Sequence, residues 1–443
     1  MRLCQVLVLL SCFISGACQS YNQKLAEMHD AYTEGNFNEA LTALENSDIK
    51  TDNSSQLLYH LEKGSLLDKL NRHQAARKSW LQGETLADEL YTVSISKEAA
   101  TYLLNEGAQD YRGEDFEKVS IHMMLALSFI ETGELDKAIV EARAINTTLR
   151  EITAEYEGEH RNYEEDGFAR FLAGLIYEAK GELNAALIDY QKAYKIYLAE
   201  SYTNFFEGVE YVPAPLSASL YDLAQKLGRQ DILQDLQDKK TAIQTKINQL
   251  GTSHAYGDVV FIHEIGEIAR KEAKEFIFPF GDQIVRTSFP VMERQSLIWG
   301  GRTGISITTP PSAQIYPFSA ANVANMNAIA YQSLEDKRGR LIAKGMVRLL
   351  AKGQLVDHAT RGLGPLGGLA ANIFTAVTET ADTRSWTLLP EAFYITRVRL
   401  PVGEHEIRVE SGGRLDGWQT VSVARDQLQI FRAGSFLTAE PGA

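Results

Sequence analysis

Four stretches of the N-terminal half, AYTEGNFNEALTAL, DKLNRHQAARKSW, FIETGELDKAIVEA and YEAKGELNAALIDY, align on one residue that tolerates a left-handed backbone: Gly35, Asn71, Gly133 and Gly181. Five residues later each carries alanine (Ala40, Ala76, Ala138, Ala186), where a small side chain lets two antiparallel helices approach closely. Two residues past the turn stand Phe37, His73, Leu135 and Leu183, and nine past it Leu44, Trp80, Ala142 and Tyr190, mostly apolar groups that fill the space between helices. Four copies in register predict a helix, a tight turn and a second helix, repeated as a solenoid. The alanine spacings are 36, 62 and 48 residues, so only part of the array is tandem. Further helices fill the gaps, among them SISKEAATYLLNEGAQDY before the third copy. A degenerate fifth pair, SASLYDLAQKLGRQDILQDLQDKK, turns at Gly228, and a long helix ending near Leu250 is expected to cap the stack.

Stacked hairpins leave an extended concave surface of the kind that holds a peptide or protein segment. The repeat register points Leu25, Tyr32, Leu61, Asp68, Met123, Ile130, Phe171 and Glu178 inward. Of these, Tyr32, Asp68, Met123, Ile130, Phe171 and Glu178 are the candidate partner-binding residues; the alternative is that most of them are packing residues. The pattern resembles the tetratricopeptide repeat. The fourth copy is the nearest match, with Gly174, Tyr177, Gly181, Ala186, Tyr190 and Ala193 where that motif places small or aromatic residues.

After Gly251–Gly257 the helical period gives way to strand-like runs, VVFIH, EFIFPF, IVRTSFPV, SLIWGG and GISIT. Pro279, Pro290, Pro310 and Pro311 confine them to strand ends, edges or loops. Helices interrupt from about 320 to 381, and strands resume in FYITRVRLPVGEHEIRVE, followed by Val421, Val423, Leu428 and Ile430. The expected fold class is therefore α+β. A TPR-like solenoid over 18–250 precedes a mixed β-rich domain over 255–443, which has a helical insertion and a terminal β-sandwich-like segment.

The chain opens with MRLCQVLVLLSCFISGAC, an Arg, an apolar run and the small residues Ser15, Gly16 and Ala17, which is the layout of a secretory signal over 1–17. The run is shorter than the roughly 20 apolar residues a spanning helix needs. Cleavage before Cys18 removes Cys4 and Cys12, leaves one thiol and excludes a disulfide within one mature chain. The arrangement resembles the lipobox of bacterial lipoproteins, whose cysteine is acylated. Gln19 after the cysteine implies, by that resemblance, an outer-membrane anchor facing the periplasm of a Gram-negative bacterium. The alternatives are cleavage at LLSC before Cys12, or an ordinary secreted chain. YRGEDFEKV, FARFLAGLIYEAKGELNAALIDYQKAY and TRSWTLLPEAFYITRVRLPVGEHEIRV resemble an uncharacterised family of repeat-containing lipoproteins, which implies this architecture and location.

Chemistry is sparse. The net charge of −14 repels phosphate backbones, so nucleic acid is excluded as a partner. His263 and Glu264 begin an H-E pair, but position 267 is Glu where a zinc helix needs its second His. The glycines of GLGPLGG lack the lysine and hydroxyl of a phosphate loop. In YRGEDFEKVSIH, Glu114 and Lys118 are spaced to pair at i,i+4, with Asp115 in the first turn. Arg340, Lys344, Arg348 and Lys352 form a basic stripe whose plain reading is a solvated face and whose alternative is contact with anionic lipid or an acidic partner. No catalytic set, metal, cofactor or small-molecule substrate follows. The expected role is a non-enzymatic adaptor that binds another envelope protein, in the class of cell-wall machinery; a hydrolase in the C-terminal half and a subunit of a surface assembly are the alternatives.

Overall fold

The computed structural model describes residues 20–101, 109–155, 163, 165–206, 208–238, 246–251, 255–280, 283–292, 303–309, 314–339, 341–342, 381–411 and 414–433. Cys18, the basic stripe Arg340, Lys344, Arg348 and Lys352, the run SLIWGG and the Gly-rich stretch 362–378 lie outside the described residues. No helix among the described residues is long and apolar enough to cross a membrane.

Five helical hairpins follow one another: α1 (Ala26–Thr33) and α2 (Phe37–Asn46), α3 (Gln56–Lys69) and α4 (His73–Thr101), α5 (Asp115–Glu131) and α6 (Leu135–Glu155), α7 (Gly167–Lys180) and α8 (Leu183–Tyr197), α9 (Ala214–Lys226) and α10 (Gln230–Asp238). Every turn is built alike. Gly35, Asn71, Gly133, Gly181 and Gly228 take φ of 82°, 56°, 71°, 84° and 68°. The next residue's N–H reaches back to a carbonyl five residues earlier, from Asn36 to Ala31, Arg72 to Leu67, Glu134 to Phe129, Glu182 to Tyr177 and Arg229 to Ala224, at 2.8–2.9 Å. That closure satisfies orphan carbonyls at the end of each first helix and sets the angle at which the second leaves.

The alanines read from the repeat are fully buried, as are Leu44, Trp80, Ala142 and Tyr190. In two hairpins a glycine on the first helix faces a large ring on the second. Seven residues before the turn stand Gly64 opposite Trp80 and Gly174 opposite Tyr190; a Cβ on either glycine would come within 2.3 Å of the indole or 2.5 Å of the phenol ring. Where the second helix carries a smaller residue, the first carries a larger one: Met28 with Leu44, and Ala126 with Ala142, all buried. Close helix approach is thus obtained with a different residue pair in each hairpin. The stretch SISKEAATYLLNEGAQDY is not a separate helix: its first part continues α4, which runs to Thr101.

The C-terminal half contains three sheets. A five-stranded sheet has the order β1 (Asn248–Gln249), β8 (Ala392–Pro401), β2 (Tyr256–Ile265), β11 (Leu428–Arg432), with β7 (Ala321–Asn325) also on β8. A four-stranded sheet runs β10 (Arg414–Val423), β9 (Gly403–Ser411), β5 (Gly304–Thr308), β6 (Tyr316–Ser319), and β3 (Glu272–Phe280) pairs only with β4 (Gln283–Val291). The two larger sheets face each other across Val259, Phe261, Ile305, Ile307, Val398 and Val409. The opposite face of the first sheet, with Val260, Ile262, Phe393 and Ile395, is continuous with the solenoid core. Burial on both faces explains why β2 reads as an unbroken apolar run rather than an alternating one.

Two expectations are corrected. No helix is described up to Leu250; Asn248 and Gln249 pair in parallel with Val398 and Arg399, and Leu250 enters the sandwich core. The last hairpin is covered by this sheet, to which α9 contributes Ser219 and Asp222 as partners of Arg397 and Arg399. The interval from about 320 begins with strand β7 and only then forms a helix over 326–339, whose Met326, Ile329, Ala330 and Leu334 join the solenoid core.

Because Gly64 and Gly174 meet ring atoms and Gly35 meets open space, substitutions should separate the two uses of glycine. Gly64→Ala and Gly174→Ala are expected to destabilise by about 1–3 kcal/mol through overpacking, and Gly35→Ala by about 1 kcal/mol through backbone conformation alone. Denaturant midpoints of the three variants measure the difference. Equal losses would remove the close-packing account.

Candidate functional site

The first helices of the hairpins, α1, α3, α5, α7 and α9, line the inner face. Through it runs an irregular stretch, Asp382–Glu391, in which Thr383, Arg384, Ser385, Trp386, Thr387, Leu388 and Leu389 are all buried. Irregular backbone at such depth lacks a strand or helix partner for its N–H groups, and an unpaired buried N–H is costly. Here carboxylates supply the acceptors. The Trp386 N–H donates to Glu117 Oε1 at 2.7 Å. Thr387 donates its N–H and its hydroxyl to Glu62 Oε1, both at 2.7 Å, and the Leu388 N–H donates to Glu62 Oε2 at 3.1 Å. Tyr111 and the Glu114 N–H hold the other oxygen of Glu117 at 2.7 and 2.9 Å. The Trp386 ring lies 6.5 Å from Trp80, and its N–H donates to Ser65 Oγ at 3.0 Å.

Ion pairs continue this contact in both directions. Lys271 and Lys337 both reach Glu114, the first at 2.6 Å. Arg432 on β11 meets Asp68 at 2.5 Å and Glu264 at 2.9 Å. On β8, Arg397 makes a two-pronged contact with Glu178 at 2.8 Å on each nitrogen, and also reaches Asp258 at 2.7 Å and Ser219 at 2.8 Å. The acids on this face belong mainly to the solenoid, and the guanidinium, ammonium and N–H donors to the C-terminal half.

The residues read as partner-binding therefore need correction. Met123 and Phe171 are packing residues of the solenoid core, Ile130 is buried with them, and Tyr32 is half-buried against Phe37 at 5.3 Å. Asp68 and Glu178 do face inward, but their partners are Arg432 and Arg397 of the same chain. Glu114 does not pair with Lys118; it precedes α5, turns to Lys271 and Lys337, and leaves Lys118 to Asp115 at 3.5 Å. The residues that sequence reasoning passed over are Glu62, Glu117, Trp386, Arg397 and Arg432. Their signal was weak but present: Arg397 and Arg399 in TRVR put two cations on one face of a strand otherwise apolar enough to be buried.

Protonation follows from burial and neighbours. Burial pushes the Glu62 carboxyl up to about 7 against the pull of the Thr387 and Leu388 donors. Burial and the nearby Glu114 charge also raise Glu117. Burial alone would raise Asp68 and Asp258, but Arg432 with His73, and Arg399 with Arg397, hold each at about 2. Burial drives His263 down to about 3, and its ring nitrogens face the hydroxyls of Ser411 and Thr396 at 3.2 and 3.3 Å. Glu264 turns instead to Arg432, and Glu267 to His29 and Arg270, so the H-E pair is not brought together as a ligand set. No cluster of three metal-ligating side chains occurs among the described residues.

One arrangement has the spacing of a nucleophile and its base: Thr387 Oγ1 lies 3.1 Å from His29 Nε2, whose Nδ1 is 3.4 Å from Glu267. Thr387 is fully buried, and its hydroxyl donates to Glu62. That burial and the Glu62 contact make the geometry that of a structural bridge.

No family model and no curated protein matches the chain. Among solved structures, it is similar to MamA (16% identity, 47% of this chain and 89% of that one, TM-score 0.28). It is also similar to the Rap conjugation gene regulator of plasmid pLS20 in complex with the Phr* peptide (13%, 48% and 50%, TM-score 0.29). A putative kinesin light chain of Podosopora anserina with nearly identical TPR-like repeats gives 13% identity, 48% and 90% coverage and a TM-score of 0.30. At such scores the likeness carries no functional inference, and the TPR-like reading of the helical half rests on its five equivalent hairpins.

Two pH limbs of opposite sign follow. Asp68 and Asp258, held low when folded, contribute roughly 2 kcal/mol each above pH 4, lost as pH falls towards 2. Glu62, raised when folded, favours the fold below its ordinary value, and that contribution is lost as pH rises through about 7. Urea unfolding from pH 2 to 8 should therefore show maximal stability near pH 4–5. Glu62→Gln removes one acceptor from the Thr387 and Leu388 N–H groups, so it should cost about 1–3 kcal/mol at pH 5 and flatten the decline between pH 5 and 7. A variant retaining that decline would show that Glu62 is not its source.

Truncating the buried indole tests the same contact by volume. Trp386→Ala is expected to cost about 3–5 kcal/mol, measured by denaturant unfolding, whereas a loss under about 1 kcal/mol would mean that the segment is not seated in the inner face.

Proposed function

We propose that this chain is a non-enzymatic scaffold of the bacterial cell envelope, anchored by acylation of Cys18 in the outer membrane and facing the periplasm. The observation that carries the scaffold reading is that the inner face of the solenoid is filled by Asp382–Glu391 and closed by ion pairs to β8 and β11. A groove used in this way holds two halves of one chain together and leaves the outward surfaces for partners. The leader ending in Ser15, Gly16, Ala17 and Cys18 supports the anchor, and Gln19 the outer-membrane destination. The client class proposed, cell-wall synthesis machinery, rests on analogy with other repeat-containing outer-membrane lipoproteins.

Mass spectrometry of the protein from its native host should find Cys18 as the first residue, carrying acyl chains. An unmodified thiol on a soluble species would overturn the anchor. Crosslinking in intact cells should recover a discrete envelope protein in stoichiometric yield, and recovery of none would overturn the scaffold.

A further inference from the structure

The seat of the segment contains one row of polar atoms whose hydrogens can be counted. Glu62 on α3, Thr387 in the segment, His29 on α1 and Glu267 in the connection after β2 stand in that order. Glu62 Oε1 lies 2.7 Å from Thr387 Oγ1, Thr387 Oγ1 lies 3.1 Å from His29 Nε2, and His29 Nδ1 lies 3.4 Å from Glu267 Oε2. Glu62 and Thr387 are fully buried and His29 is 2% exposed, so these groups have one another rather than bulk solvent as partners. Glu267 stands at the rim, on a stretch tied to the segment by two backbone bonds, from the Ile268 N–H to the Leu389 carbonyl at 2.8 Å and from the Glu391 N–H to the Ile265 carbonyl at 2.9 Å.

Three contacts need three hydrogens. The Thr387 hydroxyl brings one and a neutral imidazole brings one, whereas ionised carboxylates bring none. In that state Thr387 donates to Glu62, the His29 Nε2–H donates to Thr387, and Nδ1 turns a lone pair towards Glu267, acceptor against acceptor. The other tautomer draws the Thr387 hydroxyl to Nε2 and moves the same gap to the contact between Thr387 and Glu62. One added proton closes it. The charged and titratable groups on the surrounding elements are Tyr32 on α1, Lys69 on α3, Glu264 on β2, Arg270 beside Glu267, Glu391 at the end of the segment and Arg432 on β11, with Tyr21 and Glu117 beside Glu62. Lys69 and Arg432 turn to Glu264, and Arg270 to Glu267, so the groups that meet the ring are a hydroxyl and an acid. A nearby negative charge favours the protonated form.

We infer that Glu62, Thr387, His29 and Glu267 bind one proton between them, and that this proton clasps Asp382–Glu391 in the groove and makes the docking of the two halves sensitive to pH. The proton belongs to the row rather than to either end, as in any strongly coupled pair of sites. The folded row holds it at a pH where the same groups, separated in the unfolded chain, have released theirs. Stability therefore falls as pH rises and the proton leaves. Its loss sets a bare nitrogen against a carboxylate in a buried site and loosens the segment at Thr387. The rise of the Glu62 carboxyl to about 7 acts in the same direction. The clasp goes beyond the scaffold reading and stands whether or not a partner is found.

The diagnostic change is Glu267→Gln, because its amide donates a hydrogen to Nδ1 and completes the row without titrating. The full-length protein is unfolded in urea from pH 6 to 8. Its unfolding constant is expected to rise by up to about tenfold per pH unit where the proton leaves. Glu267→Gln should cut the total rise at least about threefold while keeping the midpoint of the unaltered protein at pH 6, and His29→Gln, which removes the titrating ring, should cut it as well. At pH 8, hydrogen exchange of peptides covering 382–391, read by mass spectrometry, should run at least about threefold slower in Glu267→Gln than in the unaltered protein. Glu267 is at the rim, so this variant folds and decides the matter even where His29→Gln does not fold. A full rise retained by Glu267→Gln overturns the clasp, as do equal exchange rates at pH 8. So does loss of the rise in Glu62→Gln alone, which would give the proton to that carboxyl by itself.

Discussion

Two buried carboxylates, Glu62 on α3 and Glu117 on α5, accept the N–H groups of three consecutive residues, Trp386, Thr387 and Leu388. The rest of the architecture depends on that contact. A stretch without regular structure cannot be buried unless its backbone donors are met, and among the described residues no strand supplies acceptors to Trp386, Thr387 and Leu388. The hydroxyls of Tyr21, Tyr111 and Thr387 add to these acceptor contacts, but burial outweighs them and raises both carboxyls above their ordinary range. The segment leads directly into β8, which pairs with β2, and β2 in turn pairs with β11.

The interface therefore unites two kinds of core. One face of the five-stranded sheet packs on helices and the other on a second sheet, so the sheet has no wet side. The parallel edge strand β11 lies against α5 and α7, and Arg432 on it is fixed by Asp68 and Glu264. Buried ion pairs of this type contribute little net stability compared with well-packed apolar groups, but removing one partner strands the other charge in a dry environment.

How much of this was readable in advance differs between the halves. The solenoid was legible because its determinants are local: a residue at positive φ, an alanine five positions on and an apolar residue nine positions on recur whatever surrounds them. The consecutive strands β8 and β9 were legible as extended runs for a similar reason, but the sequence did not show that they enter different sheets. The strands β6 and β7 were not, because YPFS and ANVAN are short and take their conformation from β5 and β8. Inward-facing residues were likewise placed on the right face in Asp68 and Glu178 but given the wrong partner, since periodicity states which way a side chain points and not what it meets.

The sequence by itself determined the five hairpins, their turns and the change of period near residue 250, because each is set by residues close together in the chain. Only the tertiary structure decided that the groove is occupied from within. Glu62 and Thr387 are 325 positions apart and Asp68 and Arg432 are 364, and nothing in local pattern couples such pairs. Their meeting is fixed by the requirement that buried charges and buried N–H groups find each other, which becomes visible only once both halves are folded and in contact.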